Sequence, residues 1–219
     1  MPYVGGGFGG KSDVTIEPLL AVVARSVPGV TVQLLLTREE LFFGTLVGRG
    51  AWGVLKTAVD RDGVLQALEA ALYFGSGGYA DYAVWITQGG GHNVTGPYAI
   101  PNLKIDSYCV YTNTPPTGAY RGYAHPEVHW MIERQMEQIA RQLGIDGVEL
   151  RQRNLLLIGK VNAIGQVMKK SNGRPDLCLQ AVKEALGEKK PPDSPQRVRG
   201  YGIACLMKSP VMRTNAQSG

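Results

Sequence analysis

Ala119-Tyr120-Arg121-Gly122-Tyr123, running into His125-Pro126-Glu127-Val128 and a helix-periodic stretch that closes at Gly144, is the passage on which the reading of this chain turns. Pro126 suits a first helical turn, where its missing amide hydrogen leaves no bond unmade. Val128, Ile132, Met136, Ile139 and Leu143 recur at three- and four-residue steps and share one face. Gly144 supplies the left-handed stop. The spacing therefore predicts a helix, entered from a loop that holds an arginine. Such an arginine, beside glycine at a helix start, offers backbone N–H groups and a cation to an anionic ligand. Tyr123 could offer a flat aromatic face to a planar one. The same residues would also serve as a plain loop with a surface arginine and inward tyrosines.

Working outward, Pro115-Pro116-Thr117-Gly118 forces a turn just upstream. Leu103 to Thr112 reads as a strand. Val54 to Val59 and Val64 to Phe74 read as a strand pair across Asp60-Arg61-Asp62-Gly63, whose Asp and Gly tolerate left-handed backbone. Gly75 to Gly96, with Gly89-Gly90-Gly91, reads as loop-rich. Nearer the N-terminus, Pro18 to Val27 reads as a helix and the β-branched run Val30 to Leu36 as a strand. Thr37-x-x-Glu40 matches a capping box. Downstream, Asp146-x-x-Glu149 starts a second short helix through about Asn154, and Pro175 to Leu186 a third, stopped by Gly187. Lys189 to Pro195 is a charged, Pro-rich linker, and Gly200 to Met207 reads as a strand. The fold class is α+β (mixed α/β), with a sheet-rich first half and a helix-rich second half. Three serial parts are expected: 1–113, 114–190 and 191–219.

Gly5-Gly6-Gly7-Phe8-Gly9-Gly10-Lys11-Ser12 is the second passage of interest. Successive amides in such a loop cradle an anion, and glycine admits a ligand without a Cβ clash. Three readings compete. Gly5, Gly10, Lys11 and Ser12 fit a P-loop, but only four residues precede it, one of them Pro2, where a buried strand is needed. Gly5, Gly7 and Gly10 fit a dinucleotide loop, but the run from Pro28 to Leu36 lacks the required carboxylate. A plain glycine turn is the third, and a phenylalanine among five glycines fits it poorly.

Composition bounds the rest. The 219 residues suffice for one large or two small domains, and 29 glycines are nearly double the usual share. The net charge of +5 comes from scattered Lys and Arg, so a nucleic-acid partner is not expected. Cys109, Cys178 and Cys205 are odd in number and lack a C-x-x-C, which fits a reducing, cytoplasmic setting without a cysteine-ligated metal. No apolar run is long enough for a membrane span, and no signal-peptide pattern opens the chain. His125 and His129 are one turn apart but fail the zinc-protease pattern, so half-exposed helix histidines are expected. Glu133 and Glu137, near Arg134 and Arg141, are expected to make surface pairs.

One resemblance unites these passages. The Gly5–Lys11 stretch resembles the molybdenum hydroxylase family of xanthine dehydrogenase, aldehyde oxidase and nicotinate dehydrogenase. So do Thr37-Arg38-Glu39-Glu40, Gly96-Pro97-Tyr98-x-Ile100-Pro101-Asn102, Tyr111-Thr112-Asn113-Thr114 and the Ala119–Tyr123 passage. Leu143-Gly144-Ile145-Asp146, Glu149-Leu150-Arg151 and Arg153-Asn154 complete the series. Their order along the chain is more specific than any one block.

The resemblance implies a fragment of the molybdopterin-binding catalytic subunit. Gly7, Phe8 and Gly9 would present backbone amides to the molybdenum centre. Ala119, Tyr120 and Arg121 would bind the pterin, and Tyr123 would flank a planar heterocycle or aldehyde. The implied reaction hydroxylates an electron-poor carbon with oxygen from water, and electrons leave through 2Fe-2S clusters and FAD on partner domains or subunits. Three departures matter. Ser12 stands where purine-oxidising members have a glutamate, and Gly89 where they have an arginine. The family's general-base glutamate would fall beyond Gly219, so no catalytic base is assigned and the fragment alone is expected to be inactive. A non-catalytic assembly domain of the same fold is the other reading the resemblance leaves open.

Overall fold

A single aspartate closes the hairpin that starts the sheet. In the computed structural model, which describes Tyr3, residues 5–187, Ser194, residues 196–198 and residues 200–208, the Asp60 carboxylate accepts from the amides of Asp62 and Val64. That turn joins β1 (Ala51–Val59) to β2 (Leu65–Gly77), and β3 (Asn102–Tyr111) completes a sheet of order β1-β2-β3. Along β2, Leu68, Ala70, Leu72, Phe74 and Ser76 are buried, as the two-residue period of a strand requires. On the other side Tyr73 lies between Trp52 and Tyr108, with ring centroids at 5.1 and 4.9 Å.

The helices are α1 (Glu17–Ser26), α2 (Arg38–Gly44), α3 (Ala83–Asn93), α4 (His125–Leu143), α5 (Gly147–Asn154) and α6 (Pro175–Gly187). Thr37 and Glu40 form the expected reciprocal cap of α2, and Asp146 accepts from the amides of Val148 and Glu149 at the start of α5. The architecture is α+β.

Three sequence expectations need correction. Gly75–Gly96 is not mainly loop. It continues β2 to Gly77 and contains α3, glycine triplet included. Gly90 has a packing reason: a Cβ there would lie 2.5 Å from the Phe74 ring and 3.4 Å from the Ala124 Cβ. Tertiary contact thus overrides glycine's weak helix propensity. Val30–Leu36 and Gly200–Met207 are not strands of the described sheet. Both contain the right residue types, but a strand needs a neighbour to hold its amides and carbonyls. The linker at 189–195 lies almost wholly outside the described residues.

Two compact units result, and they are not serial. One takes Met1–Trp52, Leu72–Gly90 and Ser107–Ala124; the other takes Gly53–Ala71, Gly91–Asp106 and His125–Gly219. Each long strand contributes one end to each unit. The first unit is built on buried Leu72, Phe74, Ala83, Ile86 and Ala124. The second is built on the apolar face of α4, where Val128, Ile132 and Met136 are fully buried, each stabilising by about 1.5–3 kcal/mol.

Candidate cofactor-binding site

Everything singled out in the two motifs except the start of α4 falls in the first unit, and there the two loops meet. The glycine loop folds on itself through Gly10 N donating to Gly7 O at 2.9 Å and Ser12 N donating to Gly9 O at 3.3 Å. The Ser12 hydroxyl also donates to Gly9 O, at 2.5 Å, so this side chain closes its own turn. Gly9 then abuts the other loop. Its φ is +100°, and a Cβ there would overlap the Ala119 carbonyl. Only glycine permits this approach. Beside it the Arg121 Cζ sits 5.2 Å from the centroid of the Phe8 ring.

The second loop is laced down just before it turns. Thr117 N donates to Ser76 O at 2.9 Å, and the Thr117 hydroxyl to Gly75 O at 2.8 Å. Gly118 N donates to Val47 O at 3.2 Å, and Arg49 Nη2 donates to Gly118 O at 2.5 Å. These bonds fix the backbone that leads into Ala119.

Strain concentrates in the same place. Among the described residues the non-glycine positions with positive φ are Phe8 (50°), Tyr123 (56°) and Ala124 (70°), and Gly122 (110°) makes the last two part of a run of three. Each such residue costs on the order of 1–3 kcal/mol and persists only where its surroundings enforce it. Ala124 is enforced by burial beside Gly90. Strain of this kind clusters at ligand-binding and catalytic sites.

Tyr123 lies in a charged neighbourhood that the sequence did not reveal. Its hydroxyl is held above its ordinary pKa, first by burial and then by Tyr82 and Asp81, with Arg49 opposing. Asp81 is itself raised, chiefly by burial, with a further push from the neighbouring Asp13 carboxyl. Tyr82 donates to Ser12 O at 3.4 Å. Arg49, flanked by Gly48 and Gly50, carried a readable signal, since an arginine between glycines marks a loop with a close partner. Asp81 and Tyr82 carried none.

Two loop readings from the sequence fail here. A P-loop or dinucleotide loop must open a helix, and α1 begins only at Glu17, after turns and bends through residue 16. The histidine expectation also fails. His125 and His129 are buried, stacked at 5.5 Å, and bonded through His129 Nδ1 and the His125 carbonyl at 2.8 Å. Met207 N donates to His129 Nε2 at 3.4 Å. No group of three metal-ligating side chains occurs among the described residues.

Glu137 pairs with Arg141 on the surface as expected, but Glu133 does not behave as a surface acid. It is buried, accepting from the Tyr98 hydroxyl and, at 2.9 Å, from Arg151 Nε. Burial first and the Glu133 charge second push the Tyr98 phenol far above its usual range. For Arg151, burial opposes the charge and Glu133 outweighs it, so the guanidinium stays charged. The Glu149-Leu150-Arg151 block is thus structural, and so is Asn154. Asn154 Oδ1 accepts from Leu65 N at 2.8 Å, while Nδ2 donates to Gly63 O at 2.7 Å and Leu150 O at 2.8 Å.

A profile of the molybdopterin cofactor-binding domain matches residues 1–155. The chain belongs to this family. Within it, the chain is 33% identical over 208 residues to the xanthine dehydrogenase molybdenum-binding subunit of Escherichia coli O157:H7, covering 93% of this chain and 28% of that protein. It is 32% identical to the nicotinate dehydrogenase large molybdopterin subunit of Eubacterium barkeri, covering 83% of this chain and 43% of that protein. The aldehyde oxidoreductase structure from Desulfovibrio gigas superimposes with a TM-score of 0.74 at 28% identity, over 83% of this molybdopterin-binding chain and 20% of that one. The chain therefore spans less than half the length of each of these relatives. No helix among its described residues is long and apolar enough to cross a membrane.

Proposed function

We propose that this chain forms one wall of the cofactor pocket in a molybdenum hydroxylase that oxidises an aldehyde or an N-heterocycle with water as the oxygen source. The observation carrying this reading is the convergence of Gly9 on the Ala119 carbonyl and of Arg121 on Phe8, with all three strained non-glycine residues in the same two loops. An amide-rich loop beside an exposed guanidinium fits an anionic, phosphate-bearing cofactor.

Gly7, Phe8 and Gly9 would hold the metal end through their amides, Ala119, Tyr120 and Arg121 the pterin, and Tyr123 would lie along a planar substrate. When bound, the molybdenum centre supplies the two-electron oxidation, and the chain supplies orientation and electrostatics. Ser12, turned into its own loop, leaves no carboxylate at that position to grip a purine. No catalytic base is proposed within residues 1–219. Electrons would leave through 2Fe-2S and FAD domains or subunits, and the assembly would be cytoplasmic.

The test is metal and pterin analysis of the complete subunit. Arg121→Ala is expected to lower molybdenum and pterin occupancy several-fold. A native subunit that purifies without molybdenum under molybdate-replete growth would sink the enzyme reading and leave the assembly-domain reading in place.

A further inference from the structure

The Phe8 ring has no part in the roles above, which draw only on the backbone of Gly7, Phe8 and Gly9. The loop nevertheless keeps a phenylalanine where the backbone disfavours one. Its φ of 50° lies in the region that suits glycine, and the side chain is 65% exposed, so apolar burial does not account for it. Two contacts define the ring's position. Gly6 lies beneath it, so close that a Cβ at Gly6 would sit 2.6 Å from Phe8 Cε2. Arg121 lies against it, with Cζ 5.2 Å from the ring centroid. At that distance the electron-rich face of the ring attracts a guanidinium. Arg121 is also the one charged residue in the Ala119–Tyr123 passage.

We infer that the Phe8 ring is a positioning residue for Arg121: by holding the guanidinium over its face, it presents a pre-ordered cation to the anionic part of the molybdopterin cofactor. The inference rests on the reading of Arg121 as a cofactor ligand. A free arginine side chain must lose rotamer freedom when it grips a ligand, and one already held loses less. The Gly9–Ala119 contact registers the two backbones, and the Phe8–Arg121 contact registers the side chain that extends from one of them. Both couple the same pair of loops.

The experiment follows cofactor release from the loaded, complete enzyme, read as molybdenum and pterin lost on prolonged dialysis. It uses Phe8→Leu, Phe8→Tyr, Arg121→Ala, and replacement of Phe8 by mono-, di- and trifluorinated phenylalanine. Fluorine drains the ring face of electron density while barely changing its size. Phe8→Leu is expected to speed release about two- to five-fold, the range an exposed cation–π contact supplies. Phe8→Tyr is expected to restore the native rate. The rate is expected to rise stepwise with fluorination, and that dependence to vanish in an Arg121→Ala background. A flat fluorine series, with Arg121→Ala still losing cofactor, overturns the positioning role alone. Unchanged retention in Arg121→Ala overturns the ligand role beneath it. Should Phe8→Leu fail to fold, the near-isosteric fluorine series still decides the question.

Discussion

The loops at Gly5–Ser12 and Ala119–Ala124 and the buried cluster of Tyr98, Glu133 and Arg151 are built on opposite terms. The loops are exposed or half-buried up to Ala124, hold three strained non-glycine residues, and touch through a glycine and a cation–ring contact. The cluster is buried, and each polar group in it is matched by another. Strain in loops that stay partly open to solvent is the kind that clusters at ligand-binding sites, with Phe8 exposed, Tyr123 half-buried and Ala124 alone fully buried. Matched charge under burial suits a place that must not move. The difference separates the residues proposed to serve binding from residues that serve the fold, although Tyr98 and Arg151 lie in the same ordered series of family blocks as Arg121.

The largest effect expected is in the cluster. Arg151→Leu strands the Glu133 carboxylate in the core and should cost about 3–5 kcal/mol in urea unfolding, while adding Glu133→Leu should restore a large part. Little loss in the single variant would mean that the cluster is not the rigid partner in the comparison. Next comes Asn154→Leu. It removes three hydrogen bonds and leaves the Leu65 amide buried without its acceptor, so about 2–3 kcal/mol should go by the same measurement.

Gly9→Ala sharpens the contrast from the other side. It forces a side chain onto the Ala119 carbonyl at a φ of +100°, yet the glycine loop that carries it is largely exposed and packs no core. Unfolding should shift by only about 1 kcal/mol, within the range for local strain, while cofactor occupancy falls sharply. A Gly9→Ala protein as destabilised as Arg151→Leu would break the division.

The smallest effect is a pH slope. Burial, aided by His125, holds the His129 imidazole below its ordinary pKa, against the pull of its bond to the His125 carbonyl. Folding therefore favours the neutral form. The stabilisation is complete above the unfolded value of about 6.5 and is lost as pH falls from there through the lower folded value. Urea midpoints should decline across that window, and His129→Gln should flatten the decline.

Much of the fold was legible because its signals are local. The α4 periodicity, the Thr37 and Asp146 caps and the Asp60–Gly63 turn each need only a few neighbouring residues to take effect. What was not legible depended on partners far away. The glycine triplet of α3 reads as loop until Phe74 and Ala124 are brought against Gly90. Glu133 reads as a surface acid until Tyr98 and Arg151 arrive. The candidate site divides the same way. Gly9 and Arg121 stood out by composition, whereas the Asp13–Asp81 pair near Tyr123 had no sequence mark at all.

Asn154 also bears on how this protein is made. The hairpin turn it clamps lies 89 to 91 residues earlier in the chain. On a ribosome, β1 and β2 are made long before the side chain that secures their turn. For that interval Leu65 and Gly63 must rely on water for the bonds Asn154 later makes. Until α5 folds onto it, a hairpin formed during synthesis is held at its turn by the local bonds of Asp60 without those of Asn154.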